Sequence, residues 1–403
     1  VSLVGTWMQS VSQPWLVLEL GGSAFQVGTV IALQFAPALF LAPLGGVLAD
    51  RFDKRGLLLV TQAFAMLQAA TLFGLTFSGS IEIWQIQVLA LILGVTSAFD
   101  MPVRQSFVAD VVPKDDLLQA IALNSASFNL ARVVGPAIAG ITLALFGSAF
   151  NFGVNTLTYT AVLLGLLLID PSTLLRVPIP AVRPSIRFSL AEGFRYARDT
   201  PAVLWMLVLL GGMSIFAMNF QTLLPLFARI TLGLDAGGYG ALFAVMGLGS
   251  LLGSLVLAFM GERRPRLRLI LGGGAAFLAF EVMLGLIRAP ALAYPTVALV
   301  GLTSMLMVNT INASVQRSVP DELRGRVMAL YVTVFAGSGP IGGLFAGGVA
   351  QVLGPPAGFI LGAAFASIFL ALAAWKLSRG RPAAATDPRP EARPEASSQP
   401  RPA

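Results

Sequence analysis

Four ionisable side chains stand inside or at the edge of long apolar runs: Glu19, Asp100, Arg132 and Glu281. A charge at membrane depth costs several kcal/mol unless it is paired or wet, so each is a candidate for function. The chain has no histidine and no cysteine. Thiol chemistry is therefore excluded, and a proton carried near neutral pH must sit on a carboxylate. Glu19, Asp100 and Glu281 are the carboxylates among the four. There is no phosphate-binding G-x-x-x-x-G-K-[ST] stretch, no His/Cys cluster and no G-x-S-x-G elbow. Direct use of ATP, a bound metal and hydrolase chemistry thus have no support, and no cofactor is expected.

Other residues stand at the ends of apolar runs, where they could hold helices together rather than make bonds. The run from Gly46 through Asp50, Arg51, Asp53, Lys54 and Arg55 follows an apolar segment directly. Gly46 lets two helices approach, and Asp50 can accept from an arginine or from a helix N-terminus. Asp100 and Arg104 form a second pair, and Arg326 stands in Arg324-Gly325-Arg326. A third group is Arg132, Gly135, Pro136 and Gly140, where proline frees a carbonyl and bends the helix. Simpler readings stay open: a basic anchoring loop, a packing kink, and a buried arginine satisfied by carbonyls.

The elements that must position these residues are membrane helices. Of 403 residues 56% are hydrophobic and only 11% charged, with mean hydropathy +0.81. A soluble globule does not hide that much apolar surface. The runs predict spans at about 2–20, 25–49, 57–77, 83–103, 118–146 and 150–169, then 202–227, 237–260, 267–288, 292–314, 327–352 and 357–377. Every second loop is basic, while the opposite loops hold only Arg229 and Arg288. By the positive-inside rule both termini are cytoplasmic. The net charge of +7 follows this alternation and does not imply a nucleic-acid partner.

Between the two groups of spans, 170–200 reads as a linker with an amphipathic helix carrying Leu190, Phe194 and Ala197 on one face. The stretch 379–403, rich in Pro, Ala, Arg and Glu, is expected to be disordered. The first helix starts within an apolar run and is read as truncated. Pro113 through Leu123, with Gly135-Pro136, is echoed by Pro320 through Leu330, with Gly339-Pro340. The offset of about 205 residues is nearly constant, which points to duplication.

These motifs carry a resemblance. Gly46 to Arg55 resembles the G-x-x-x-D-R-x-G-R-K/R signature of major facilitator transporters, with Asp53 where glycine is usual. Asp100 to Phe107, Asn129 to Pro136 and Arg324 to Leu330 are similar to the branch of enterobactin exporters and macrolide efflux pumps, the transmembrane secretion effectors. The resemblance implies an all-α membrane protein with twelve transmembrane helices in two pseudo-symmetric halves, at 1–169 and 201–378. It also implies alternating access around a central cavity, with Gly46, Asp50, Arg51, Lys54, Arg55, Asp100, Arg104 and Arg326 as gating motifs. Gln9, Gln13, Gln85, Gln87, Asn219, Gln221, Asn309 and Asn312 would line that cavity, on helices that also carry Trp7 and Trp15. Glu281 would stand on a peripheral helix, which leaves Glu19 and Asp100 as the proton-coupling candidates. Arg132 to Gly140 resembles an antiporter motif, which implies proton-coupled efflux.

The expected partners are the lipid bilayer, protons and a small amphiphilic substrate. The chain is expected to work as a monomer in the bacterial cytoplasmic membrane. Drugs or hydrophobic natural products are the favoured substrates, with siderophores or other metabolites second. A membrane sensor without transport is the rival of another class.

Overall fold

The computed structural model describes residues 2–175, 186–260 and 267–379. All regular structure in them is helical. Helices α1 (Ser2–Glu19), α2 (Ala24–Arg51), α3 (Lys54–Phe77), α4 (Ile83–Val111) and α5 (Leu117–Leu168) come first, followed by α6 (Ile186–Asp199) in the linker. Then come α7 (Pro201–Phe216), α8 (Phe220–Leu226), α9 (Ala236–Phe259), α10 (Leu267–Leu286), α11 (Pro290–Arg317), α12 (Asp321–Leu353) and α13 (Pro355–Arg379). The expected disorder of the C-terminal stretch concerns residues outside the described part.

Among the described residues, ten helical segments are long and apolar enough to cross a membrane. Helix α1 is not among them, because Thr6, Gln9, Ser10, Ser12 and Gln13 dilute its hydropathy. Those side chains are paired inside the protein, so α1 has no need to be apolar throughout. Large side chains such as Phe40, Phe77 and Phe259 lie exposed on the outer surface. Such a surface suits hydrocarbon as its solvent.

Helix α5 is two arms. Gly147 adopts φ 77 and ψ 176, a backbone that only glycine takes easily. The Asn151 amide donates to the Ala139 carbonyl at 3.1 Å. In a straight helix twelve residues span about 18 Å, so the chain doubles back at Gly147.

Helices α1 to α5 pack on one another, as do α7 to α13, and the two bundles meet along α2–α12 and α5–α9. Both seams are lined by glycine. A Cβ on Gly28 would overlap the Gly343 carbonyl, and one on Gly240 would overlap the Gly140 backbone. Lipid offers apolar surface as favourable as leucine does, so such close backbone approach, rather than burial from water, joins membrane helices.

The second bundle contains an interrupted segment. Helix α7 ends before Ala217, α8 begins after Asn219, and the chain then forms a π turn over Phe227–Thr231. Pro225 removes one backbone donor within this stretch, and π turns are common where a helix accommodates such a defect.

The linker corrects one expectation. Ala197 of α6 is buried, but Phe194 is 56% exposed, so they do not share a buried face. The Leu190 side chain lies outside the described residues. The buried side of α6 is instead Gly193 and Ala197.

Candidate functional site

At the basic-loop face, the motif after α2 is built from capping and cross-helix bonds. Asp53 caps α3 by accepting from the Gly56 N–H at 2.7 Å. Its φ of −60 needs no glycine, which explains how this chain tolerates the departure from the family pattern. Lys54 pairs with Asp110 at 2.8 Å, tying α3 to α4. Arg55 donates to the carbonyls of Leu166 and Leu167 at 2.8 and 3.1 Å, satisfying orphan groups at the end of α5. Arg51 is exposed. The side chains of Asp50 and Arg132 and the surroundings of Gly46 lie outside the described residues.

Asp100 is saturated with partners. One oxygen accepts from Thr61 at 2.8 Å and from Gln62 at 2.7 Å, both on α3. The other accepts two bonds from Arg104, at 3.0 and 2.8 Å. Charge-assisted bonds of this kind hold a carboxylate firmly, so Asp100 locks α3 to α4. Arg326, at the start of α12, pairs with Glu192 of α6. Sequence reading missed Glu192 and Asp110 as partners; Asp110 was legible as part of the stretch that follows Asp100.

Inside the first bundle, Gln9 and Gln13 are each 1% exposed and belong to a buried amide network. Asn155 donates to the Gln9 carbonyl oxygen at 2.7 Å, and Gln9 donates to Gln68 at 3.2 Å. Gln13 reaches the Ile86 carbonyl at 3.4 Å, and Asn151 donates to Ser12 at 2.7 Å. The expectation that Gln9 and Gln13 face an open cavity is therefore replaced, because this face of α1 is turned toward α3, α4 and the second arm of α5. Gln85 is likewise reassigned. It accepts from the Glu82 N–H at 2.8 Å in a capping box that starts α4. Gln87 is half-buried on the next turn.

In the second bundle, Asn219 is buried at the interruption, donating to the Ile215 carbonyl at 2.8 Å. Gln221 is half-buried beside it. Asn309 donates to Ser254 at 3.0 Å, joining α11 to α9, and Asn312 accepts from Gln316 at 2.6 Å. Asn309 and Asn312 are both half-buried, so they combine packing contacts with accessible surface. Glu281 is fully buried, and neither of its oxygens has a hydrogen-bond partner among the described residues.

At the opposite face the bundles are latched. The Trp15 ring stacks on Tyr239 with centroids 5.0 Å apart, and Arg229 lies over the same indole at 5.7 Å. Tyr239 donates to the Val11 carbonyl at 3.1 Å. Glu19 accepts from Trp15 at 2.8 Å and from Ser148 at 3.0 Å, while remaining exposed. Gly140 forms the glycine crossing with Gly240, while Gly135 faces Trp7 and Val4 of α1 and lies beside the buried Pro136. Beside the crossing, an apolar cleft of about 420 Å³ is lined by Ala137, Ile141, Ala144 and Gly237. It offers no hydrogen-bonding side chain.

The sequence pattern of the transmembrane secretion effector family matches residues 1–399. The staphyloferrin A transporter of Staphylococcus aureus is 27% identical over 361 residues, covering 87% of each chain. The enterobactin exporter of Escherichia coli is 26% identical, covering 89% of this chain and 84% of that protein. Among solved structures, a bacterial homologue of the human lysosomal transporter Spinster superposes with TM-score 0.74 at 13% identity, covering 95% and 96% of the two chains. The nucleoside transporter NupG gives TM-score 0.71 at 13% identity, covering 93% and 96%. The chain belongs to the transmembrane secretion effector family of major facilitator transporters, and is a multi-pass membrane transporter rather than an enzyme.

Proposed function

We propose that this chain is a proton-coupled exporter of a siderophore-like metabolite, working by alternating access. Counting α1, and the two arms of α5 separately, the ten apolar segments become twelve spans in two halves of six. The halves are 1–169 and 201–378, with the basic loops and both termini in the cytoplasm and the protein acting as a monomer in the cell membrane.

The observation that carries the reading is the latch that joins the two halves at the face opposite the basic loops. Trp15–Tyr239, Gly140–Gly240 and Gly28–Gly343 join the halves toward the opposite face. With that face latched, a central cavity open toward the basic face would load substrate from the cytoplasm. Asn309, Asn312 and Gln221 remain the amides best placed to meet it.

Glu19 is the favoured proton carrier. It is exposed and holds two bonds at the latch, whereas Asp100 is committed to Thr61, Gln62 and Arg104. Protonation of Glu19 would weaken its acceptance from Trp15 and Ser148 and so favour opening of the latch. The names of the two curated relatives favour a siderophore over the drug substrates expected from motifs alone.

Accumulation should be measured in cells expressing the chain, with catecholate and carboxylate siderophores, macrolides and dyes as probes. The expected result is extrusion of a siderophore class that collapses with a protonophore. Extrusion of macrolides or dyes alone would replace the substrate class, and extrusion insensitive to the protonophore would remove proton coupling.

A further inference from the structure

Helix α6 has two dissimilar faces. Its inner face grips the junction between α11 and α12: Glu192 pairs with Arg326, and Tyr196 donates to the Ser318 carbonyl at 2.9 Å. Gly193 lies so close that a Cβ there would meet the Arg326 carbonyl oxygen at 2.9 Å. Its outer face presents Ala191, Phe194, Arg195 and Arg198, all exposed. Arg198 has a weak ion pair with Asp199 at 3.9 Å, with both side chains largely in solvent. Such a surface pair is readily exchanged for another anion.

The depth of this helix follows from its neighbours. Helix α6 ends at Asp199 and α7 starts at Pro201. Trp205 of α7 is therefore only about 9 Å along the chain axis from the end of α6. Lys376 of α13 lies over the Trp205 ring at 5.8 Å and over Trp375 at 4.3 Å. Tryptophan paired with lysine at a helix end marks the boundary between hydrocarbon and headgroups. An exposed phenylalanine flanked by two arginines at that level is the pattern of a helix lying in the membrane interface.

We propose that the outer face of α6 binds anionic phospholipid in the leaflet on the basic-loop side. Arg195 and Arg198 take the headgroup phosphates, and Phe194 enters the acyl boundary. Because the inner face holds Arg326, lipid bound to the outer face steadies the start of α12, the helix that forms one seam between the bundles.

The test uses the full chain, which has no cysteine of its own. A fluorophore on Ala191→Cys is placed in phosphatidylcholine vesicles with and without phosphatidylglycerol. Quenching by nitroxide-labelled phosphatidylglycerol is compared with quenching by nitroxide-labelled phosphatidylcholine. The expected result is preferential quenching by the anionic lipid, reduced about fivefold for each arginine removed in Arg195→Gln and Arg198→Gln. Arg195→Lys with Arg198→Lys should keep the preference, and salt should erode it in the unaltered face, which needs no arginine variant to fold. Equal quenching by both lipids would overturn the proposal, as would a preference unchanged by salt. Iodide reaching the label as freely as at Ser78→Cys would also overturn it, and would mark the face as open to a soluble partner.

Discussion

The interiors of the two bundles are held together by different means. In the first, Gln9, Ser12, Gln68, Asn151 and Asn155 are buried and bonded to one another across helices. In the second, the interior is largely aromatic and aliphatic. Phe216 contacts Phe345, Phe365 and Phe369, and Phe227 meets Phe359 edge-on at 5.4 Å. Hydrogen bonds fix rotation and register, because a helix turned by one residue loses all its partners. Ring and methyl contacts tolerate small displacements, and the interrupted α7–α8 segment lies in that bundle. The difference predicts that the first bundle behaves as a rigid frame and that the second yields more readily.

Gln9→Leu is expected to have the largest effect on this contrast. It strands the Asn155 amide and the Gln68 carbonyl oxygen in the interior, costing about 1–3 kcal/mol for each group left unpaired. An SDS unfolding titration of the purified chain should show a clearly lowered midpoint. A midpoint unchanged from wild type would mean that the network rearranges and the frame is not rigid.

Gly240→Val ranks next, because its side chain would overlap Gly140 at the seam. Overpacking of about 1–3 kcal/mol is here spent on separating the bundles rather than unfolding either one. Labelling of Ser148→Cys by an impermeant thiol reagent outside intact cells should then rise about five- to hundredfold. Reduced expression without increased labelling would place the strain inside a bundle instead.

Smaller changes should come from Asn309→Leu, which removes one bond between α11 and α9. Interhelical bonds in membranes average about 0.6 kcal/mol, so folding should hardly change while the substrate profile shifts. Equal loss of transport for every substrate would demote Asn309 to a packing role. Asp53→Gly is expected to have the smallest effect, a few tenths of a kcal/mol, because glycine is nearly as good as aspartate before a helix. A thermal shift of more than a few degrees would show that the cap does more than end a turn.

Much of the architecture was legible because it depends on composition along the chain. Apolar length and alternation of basic loops are local properties of a membrane helix. The paired motifs at Lys54, Arg55, Asp100 and Arg104 were legible as a group, since short loops keep them at one face. Their roles were not: Asp100 binds Thr61 and Gln62 of a different helix, and no spacing rule announces that. Glu192 was passed over because it lies in a polar linker, where a charge looks merely solvated.

The sequence by itself determined that the chain is a bundle of membrane helices with an internal repeat and a basic side. The tertiary structure alone decided which way each helix turns. Gln9 and Gln13 point into the first bundle, Trp15 reaches Tyr239 and Arg229 of the second, and Arg326 meets the linker. Rotation about a helix axis leaves hydropathy and length untouched. It is set by close backbone approach at positions such as Gly140 and Gly240, far apart in the chain, so it cannot be read from either segment alone.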